Sequence, residues 1–407
     1  MRILISAFGF QPNVGSEAAV GWRWANALAQ DHEVTVITDI TRKIVVESAA
    51  TPLRPNLRVL YYRPRWLRSV PLNSTTAQML YTGWQFGLPF HARRLHRERP
   101  FDLALHLTYS VFRHPCFLGW LGIPFIFGPL GGGEDAPLRL KRSIRGREKA
   151  REILRTLVNK VALFDPFLWL SYARATLILV STEHTRAALP WPFRRRAIVY
   201  PNLGADLISP APRQTRPPSQ PLQLLFAGRL IGWKGVHLAI RALAEARARG
   251  VDAELNIAGS GPYEGDLKTL TASCGLTAHV RWLGQLPRDE LLTLYGEMDC
   301  FLFPSLHDSG GSVVIEAQAR GLPVICLSLG GPPTLIAKDS GIVIPVDSAD
   351  EDMVVTRLAE ALRALAADPQ KRLAMSQAAV AHARSISWEA RAQGALALLA
   401  NQATISP

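Results

Sequence analysis

Two series of short apolar runs, separated by helical stretches, constrain the fold of this chain most strongly. The first half contains seven such runs, at residues 2–8, 33–38, 57–62, 102–107, 124–128, 176–181 and 197–200. The second half contains six more, at residues 222–228, 253–259, 280–284, 300–303, 323–327 and 341–346. Strands that alternate with helices predict parallel sheets with helices on both faces. We therefore expect an α/β protein of two doubly wound domains that face a cleft.

A proline-rich stretch separates the two series. Residues 206–221 are rich in proline and polar residues and show no periodicity, which is typical of an interdomain linker. The sequence thus predicts an N-terminal domain over 1–205, a C-terminal domain over 222–385 and a terminal helix over 386–403. A length of 407 residues is also more than one ordinary hydrophobic core accommodates.

The composition is that of a folded protein in a reducing compartment. Hydrophobic residues make up 48% of the chain and charged residues 19%, which argues against global disorder. The four cysteines are far apart and form no C-x-x-C pair, so neither a disulfide framework nor a zinc site is indicated. The first residues read MRILISAFGF and predict a strand rather than a signal peptide. We therefore expect a cytoplasmic protein.

The net charge of +13 is concentrated in two basic clusters, at 63–99 and 139–160. Both clusters lie in the first half, and aromatic residues such as Trp66 and Phe86 lie within the first of them. Basic and aromatic residues together suit an anionic membrane surface, but a solvated helix face explains them equally well. No helix-turn-helix, finger spacing or RNP-like motif supports nucleic acid as a partner.

The loop and helix after the strand at 300–303 carry the strongest functional signal. Residues 304–311 form a loop rich in Ser and Gly, and the apolar helix that follows contains one carboxylate, Glu316. Because an unpaired buried charge is costly, we expect Glu316 to face a polar ligand. The loop can direct backbone N–H groups at an anion, helped by the helix dipole. Hydroxyls for the carboxylate and a diphosphate for the amides together indicate a sugar nucleotide.

A second loop with binding potential follows the strand at 222–228. It runs from Gly228 to Gly235 and contains Arg229 and Lys234 just before a predicted helix. Arginine binds phosphate oxygens through two N–H groups and lysine adds a point charge, so the two cations would clamp a diphosphate. Two solvated surface cations are the alternative interpretation.

Three positions in the first half are weaker candidates. Gly15, Ser16 and Glu17 lie between the first strand and the first helix, where a glycine allows an anion to approach the backbone closely. His106 ends a strand, and Glu134 follows a glycine-rich loop. An ordinary turn explains the first group equally well, and a lone strand histidine is usually structural.

Together these motifs resemble the family-4 glycosyltransferases, retaining enzymes of the GT-B fold. That family marks its donor site with a carboxylate, seven residues and a Glu. Asp308 and Glu316 have this spacing, although the family more often has Glu at the first position. The resemblance covers nearly the whole chain and is strongest over 228–346. The elements GSE at 15–17 and GPLGGGE at 128–134 are similar to those of a bacterial subgroup that serves exopolysaccharide or lipopolysaccharide assembly.

The resemblance implies a role for each residue of the 304–316 block. Glu316 would hold the ribose hydroxyls and Asp308 the transferred sugar. Ser309 and the amides of Gly310 and Gly311 would meet the sugar and the phosphate.

It implies further roles for the remaining loops. Arg229 and Lys234 would bind the diphosphate, His106 would contact the sugar near the reacting carbon, and Gly15 would supply the amide of the first loop. The other candidates for the cleft are Ser16, Glu17 and Glu134. The resemblance implies neither a metal nor a cofactor, and it implies a terminal helix that crosses back to the N-terminal domain.

The resulting hypothesis is a retaining transfer of a hexosyl unit from a nucleoside diphosphate sugar to a glycan or lipid-linked acceptor. Its expected partners are the nucleotide sugar, that acceptor and an anionic membrane contacted peripherally at the inner face, with no nucleic acid. One alternative is an isomerase of the same architecture, resembling the sugar-nucleotide 2-epimerases. The other is a non-catalytic basic protein that binds membranes or nucleic acid.

Overall fold

The computed structural model describes residues 1–12, 17–49, 53–73, 75–144, 146–207, 217 and 220–403. The chain divides into two compact units. The first unit comprises Met1–Gly133, Leu157–Leu203 and the C-terminal residues from Trp388 onward. The second comprises Glu134–Thr156 and Gly204–Ser387.

The first unit is built on a seven-stranded sheet whose neighbouring strands are all parallel. Its strands are β1 (Arg2–Ser6), β2 (Glu33–Asp39), β3 (Leu57–Tyr62), β4 (Leu103–His106), β5 (Phe125–Leu130), β6 (Leu177–Val180) and β7 (Ala197–Val199). They lie in the order β3-β2-β1-β4-β5-β6-β7. The order reverses between β1 and β4, and ligands of doubly wound sheets bind beyond the carboxyl ends of the strands at such a reversal.

Helices cover the first sheet and bury a core rich in aromatic side chains. The helices that belong wholly to this unit are α1 (Glu17–Leu28), α2 (Lys43–Glu47), α3 (Ala77–Glu98), α5 (Pro166–Arg174), α6 (Glu183–Ala188) and α7 (Trp191–Arg194). Helix α4 (Gly146–Val161) precedes α5 in the chain, and its residues up to Thr156 belong to the second unit. The buried ring of Phe8 meets those of Tyr81 and Trp84 edge to face, with centroids 5.7 and 5.5 Å away. Such pairs are a favoured geometry for aromatic rings in a core.

The second unit repeats the architecture with six parallel strands. They are β8 (Leu222–Ala227), β9 (Ala253–Ala258), β10 (Val280–Gly284), β11 (Cys300–Phe303), β12 (Val324–Leu327) and β13 (Gly341–Ile344), in the order β10-β9-β8-β11-β12-β13. Its helices are α8 (Val236–Ala248), α9 (Glu264–Ser273), α10 (Arg288–Glu297), α11 (Ser312–Ala319), α12 (Glu351–Ala367) and α13 (Pro369–Ser385). Here the order reverses between β8 and β11, which places the ends of these two strands side by side.

The final helix, α14 (Trp388–Ala403), packs within the first unit. It lies against α1, where the Arg23 guanidinium is 5.6 Å from the centre of the Trp388 ring. Gln393 Nε2 also donates to Asp31 Oδ2 at 2.7 Å.

The predicted α/β class is confirmed, with a parallel sheet in each half and all thirteen predicted strands present. The units of the structure differ from the predicted N-terminal domain over 1–205 in that residues 134–156 and 204–205 belong with the second unit. Most of the 206–221 stretch lies outside the described residues.

The stretch Glu134–Thr156, which we call the inserted segment, is held to the second unit by several hydrogen bonds. Arg139 donates to the carbonyls of Val346 and Ala349. The Ser143 N–H and hydroxyl both donate to the carboxylate of Glu351, which begins α12. Part of the basic cluster at 139–160 therefore forms contacts within the protein and is not a solvated helix face.

The first basic cluster also contains a residue that is not at the surface. Arg63 is almost wholly buried and binds the Asp39 carboxylate with two N–H groups, Nε to Oδ2 at 2.8 Å and Nη2 to Oδ1 at 2.7 Å. A third N–H donates to the carbonyl of Val70 at 2.7 Å. A buried cation is tolerable when it is paired and hydrogen-bonded in this way.

Among the residues that the structure describes, none of the helices combines the length and the apolar character needed to cross a bilayer.

Candidate functional site

The loop after β8 presents two cations at the beginning of α8. Arg229 is exposed, and Lys234 lies one residue before Gly235, the N-cap of α8. Gly235 has a φ of +73°, and a Cβ there would lie 1.9 Å from the carbonyl oxygen of Pro304. A glycine is thus needed both for the turn and for the close approach of the loop that follows β11.

The loops after β8 and β11 are tied together by polar contacts. Lys234 Nζ forms an ion pair with Asp308 Oδ2. The Leu306 N–H donates to the Trp233 carbonyl at 2.8 Å, and the Ser305 hydroxyl is 3.4 Å from both that carbonyl and Asp308 Oδ2. The structure therefore brings together the predicted site residues Lys234 and Asp308, which are far apart in the sequence.

The loop after β11 ends in the predicted glycines. Gly311 has a φ of +88° and is the N-cap of α11, so the helix begins at Ser312. Ser309 Oγ donates to Glu134 Oε2 at 2.5 Å, and Glu134 is buried. The contact places Glu134, a weaker candidate from the first half of the sequence, beside the loop that carries Ser309, Gly310 and Gly311.

Glu316 lies in the second turn of α11 and has an ionic partner. Its Oε1 is 3.3 Å from Arg288 Nη2, and Arg288 is also 3.4 Å from Asp206 Oδ2. The sequence argument assumes that the charge of Glu316 is unpaired and therefore faces a ligand. It does not foresee the ion pair with Arg288. Arg288 begins α10 after strand β10, so the rule that directed attention to other strand ends could have singled it out.

The inserted segment places carboxylates against both loops. Glu148 Oε2 accepts from the Gly232 N–H at 2.6 Å, and Glu152 Oε2 is 3.1 Å from His307 Nε2. The ring of His307 stacks on Trp233 with centroids 4.4 Å apart and planes at 18°. No local sequence pattern indicates these contacts, because Glu148 and Gly232 are 84 positions apart and Glu152 and His307 are about twice as far apart.

In the first unit, His106 is fully buried at the end of β4. Its Nε2 is 3.1 Å from Tyr81 Oη and its Nδ1 is 3.1 Å from Ser6 Oγ. Burial and the nearby His114 lower the pKa of His106 to about 3, so the ring is neutral at physiological pH. Both ring nitrogens of His106 thus have protein partners, and the contact of His106 with a sugar stays a prediction.

Glu17 is the first residue of α1, and its Oε1 accepts from the Ser110 N–H at 3.0 Å. The neighbouring Tyr109 adopts a left-handed φ of +57° and stacks on Tyr81 with centroids 5.3 Å apart. Such a conformation is uncommon for a residue other than glycine and often marks functional loops. The predicted site residues Gly15 and Ser16 lie outside the described residues.

Comparison with known proteins identifies the family. The model of the family described as glycosyl transferases group 1 matches residues 209–382. A D-inositol 3-phosphate glycosyltransferase of Corynebacterium efficiens is 32% identical over 382 residues, which cover 89% of this chain and 84% of that protein. The chain belongs to the group 1 glycosyltransferase family.

Other relatives of this group 1 chain match it over a shorter length. A D-inositol 3-phosphate glycosyltransferase of Corynebacterium aurimucosum is 34% identical over 210 residues, 48% of each chain. The Escherichia coli protein that carries the name colanic acid biosynthesis glycosyltransferase WcaL is 32% identical over 162 residues, 40% of this chain and 41% of that protein. In these two matches the chain spans about half of the relative's length or less.

Solved structures show that the group 1 chain has the GT-B fold. Sucrose-phosphate synthase from Thermosynechococcus elongatus superimposes with a TM-score of 0.66 at 19% identity, over 100% of both chains. Anabaena Alr3699/HepE in complex with UDP superimposes with a TM-score of 0.63 at 17% identity, over 98% of this chain and 99% of that one. At these identities the likeness concerns the fold alone.

Proposed function

We propose that this protein transfers a hexosyl unit from a nucleoside diphosphate sugar to a glycan or lipid-linked acceptor, with retention at the anomeric carbon. The observation that carries the proposal is the contact between the two loops of the second unit. It brings Lys234 and Asp308 together at the ends of neighbouring strands β8 and β11. Ligands of doubly wound sheets bind at this reversal in strand order.

The donor would bind through charges that the two loops already present. Arg229 is exposed at the end of β8, and Lys234 lies at the start of α8, so both can take up the charge of a diphosphate. The amides of Gly310 and Gly311 precede α11, whose N-terminus also favours an anion. Lys234 would then be shared between Asp308 and the diphosphate.

The sugar and the ribose would be held by carboxylates. Asp308 would accept hydrogen bonds from the hydroxyls of the transferred sugar, and Glu316 from those of the ribose. Glu316 keeps part of its charge balanced by Arg288 at 3.3 Å, which orients the carboxylate before the donor arrives. Oriented groups that need no rearrangement contribute most to binding and catalysis.

The proposed reaction breaks the bond between the anomeric carbon and the diphosphate oxygen. Negative charge then grows on the leaving diphosphate, where Arg229, Lys234 and the loop amides would stabilise it. The oxygen of the acceptor hydroxyl would bond to the anomeric carbon on the face that the diphosphate leaves, and its proton would pass to an oxygen of the leaving diphosphate, which gives retention. We assign no covalent nucleophile. We propose that neither a metal nor a cofactor takes part, because side chains and amides supply the positive charge.

The donor and acceptor classes are proposed from relatives. UDP is bound in the structure of HepE, which has the same fold, and this supports a nucleoside diphosphate as the leaving group. The name of WcaL refers to colanic acid, a polysaccharide, and supports a glycan acceptor. We accordingly propose a role in exopolysaccharide or lipopolysaccharide assembly in the cytoplasm, at the inner face of the membrane.

Contact with an anionic membrane is supported by an exposed apolar patch of the first unit. Phe90 on α3 is 71% exposed and Phe164, just before α5, is 86% exposed. The half-exposed rings of Phe86 and Phe167 lie 5.4 Å apart and connect the two elements. Arg93, Arg94 and Arg97 follow on α3, so apolar and basic side chains share this surface.

The proposal is tested first with nucleotide sugars. A thermal-shift panel of UDP, GDP and ADP sugars should give one donor that stabilises the protein, by about 2.7 kcal/mol at a hundredfold excess over its Kd. With that donor and extracts of lipid-linked glycans, a glycosylated product should form and the anomeric configuration of the sugar should be retained. Conversion of the donor without any acceptor would instead support the isomerase alternative.

A further inference from the structure

The inserted segment contacts the loops at 228–235 and 304–311, which we call the donor loops, through three carboxylates. Glu134 accepts from the Ser309 hydroxyl at 2.5 Å and Glu148 from the Gly232 N–H at 2.6 Å. Glu152 Oε2 is 3.1 Å from His307 Nε2. The inserted segment is therefore joined at three positions to the loops that follow β8 and β11.

The carboxylate of Glu152 is fixed by its own surroundings. Its Oε2 accepts from Arg155 Nη2 at 3.2 Å and from Lys141 Nζ at 3.4 Å. Burial acts to raise the pKa of Glu152, but the neighbouring His307, Arg155 and Lys141 outweigh it and lower the pKa to about 2. Glu152 is therefore a fixed negative charge at every pH at which the protein is expected to work.

Further contacts connect Glu152 to the donor loop at 228–235. The His307 ring that faces Glu152 on one edge stacks on the indole of Trp233 at 4.4 Å. The Lys234 ammonium in turn lies 4.6 Å from the centre of the Trp233 ring and pairs with Asp308. An unbroken series of contacts thus joins Glu152 to the cation that is proposed to bind the donor.

Arg155 also fixes the beginning of the inserted segment. Its Nη1 donates to the Glu134 carbonyl at 2.7 Å, and its Nη2 donates to Asp135 Oδ1 at 3.2 Å. The residue that holds Glu152 therefore also holds Glu134 near Ser309. Residues near both ends of the inserted segment, Glu134 and Glu152, therefore contact the loop at 304–311.

We propose that Glu152 is a positioning residue of the donor site and acts through His307. By placing its charge beside the His307 ring, which stacks on Trp233, it sets the place of Lys234 and Asp308 before the nucleotide sugar binds. This inference rests on the proposed function, since it assumes that the two loops bind the donor. Small displacements of positioned groups carry large costs in catalysis, so the effect should be measurable.

The test is a double-mutant cycle with nucleotide affinity and steady-state kinetics as readouts. Calorimetry with UDP, GDP and ADP first identifies the nucleotide that the wild-type protein binds. Glu152→Ala and His307→Ala should each weaken that binding and lower kcat/KM by roughly tenfold. The double variant should be no weaker than His307→Ala alone, because one contact relays the effect of the other.

Controls separate positioning from folding. Glu152→Gln keeps the shape of the side chain and should remain folded, with a loss of affinity in the same direction as Glu152→Ala. Glu360→Gln removes an exposed carboxylate of α12 and should leave both readouts unchanged. Circular dichroism and thermal unfolding check that each variant is folded.

The outcomes distinguish this inference from the proposed function. If the wild-type protein binds a nucleotide and transfers sugar, but the Glu152 variants match it, the inference is wrong and the proposed function stands. Effects of Glu152→Ala and His307→Ala that simply add in the double variant would also overturn the inference, since they would show independent roles. If no nucleotide binds to the wild-type protein, both proposals fail.

Discussion

At the scale of single residues, the pairing of Lys234 with Asp308 is the central finding. The two residues come from loops that follow different strands, and both side chains are largely buried, with 12% of Lys234 and 16% of Asp308 exposed. An ion pair of this kind holds both groups in place until a ligand with stronger contacts replaces part of it. Arg229, by contrast, is exposed and can reach an anion directly.

Arg229→Ala should lower kcat by roughly a hundredfold if the guanidinium stabilises the leaving diphosphate, because a single preorganised donor is worth about that much. Steady-state transfer assays with the donor found in the thermal-shift panel measure the effect. Arg281→Ala removes another exposed arginine, which lies on β10, and serves as the matched control. Turnover near the wild-type value would remove Arg229 from the mechanism.

Acidification should destabilise the first unit through its buried histidines. The pKa of His106 is lowered to about 3 and that of His114 to about 4, mainly by burial and also by neighbouring charges. The pKa of a histidine in an unfolded chain is about 6.5. Between these values the unfolded chain binds protons that the folded protein excludes. The free energy of unfolding should therefore fall as the pH drops below about 6.5, and above it these residues should have no effect.

Urea unfolding at neutral and at mildly acidic pH tests this dependence. His106→Gln should be less stable than the wild-type protein at neutral pH, because the contacts with Tyr81 and Ser6 are disturbed. It should lose less additional stability on acidification, since one buried histidine is absent. Equal losses in the two proteins would show that His106 does not contribute.

At the scale of elements, the turn between β8 and α8 determines how closely the two donor loops approach. Gly235→Ala should destabilise the protein more than Gly250→Ala. Both glycines have a positive φ, but a Cβ at 235 would meet the Pro304 carbonyl at 1.9 Å, whereas nothing lies within 4 Å at 250. The left-handed backbone costs about 1–2 kcal/mol in each variant, and the clash adds to it only at 235.

Denaturant unfolding of the two glycine variants gives the comparison. The difference between them isolates the contact between the loops from the common backbone strain. Equal stabilities would mean that the loops separate at little cost, and would weaken the case for a preorganised donor site.

The apolar patch between α3 and α5 should bind anionic membranes. Phe90→Ser and Phe164→Ser should each weaken binding to vesicles that contain phosphatidylglycerol by roughly tenfold or more, since burying a phenylalanine contributes about 1.5–3 kcal/mol. Leu138→Ser, at an exposed apolar residue of the second unit, is the control. Co-sedimentation with vesicles of phosphatidylcholine, with and without phosphatidylglycerol, measures the binding.

Two results would contradict the membrane assignment. Equal binding to neutral and anionic vesicles would exclude a role for the arginines on α3. Retention of full binding by both phenylalanine variants would place any membrane contact elsewhere on the protein.

At the scale of the whole molecule, the sequence predicts the architecture well. Buried parallel strands are continuous apolar runs, so each of the thirteen strands leaves a clear signal. The loops at 228–235 and 304–311 were identifiable for the same reason, because each follows such a run directly. The loop position alone therefore predicts Lys234 as a site residue, whereas Asp308 is predicted from the spacing that resembles the family-4 glycosyltransferases.

The contacts of the inserted segment could not be predicted in this way. Glu134 and Ser309 are 175 residues apart, and neither carries a local pattern that indicates the other. The pair between Glu316 and Arg288 is closer in sequence, but it depends on how α10 packs beside α11. Periodicity identifies elements and their buried faces, whereas the partner of a given polar side chain follows only from tertiary packing.

Chelation of divalent metals should leave transfer unaffected. In the proposed mechanism Arg229, Lys234 and backbone amides neutralise the diphosphate, so no metal is required to balance its charge. The initial rate of sugar transfer is measured before and after treatment with EDTA. A further measurement after removal of EDTA controls for inhibition by the chelator itself. A rate that falls with EDTA and recovers on addition of Mg²⁺ or Mn²⁺ would show that a metal takes part.

The most direct measurement for the central claim is a crystal structure of the protein with its nucleoside diphosphate bound. The account predicts that diphosphate oxygens lie within hydrogen-bond distance of Arg229 and Lys234, with the ribose hydroxyls at Glu316. A nucleotide bound elsewhere, with neither cation contacting its phosphates, would contradict it.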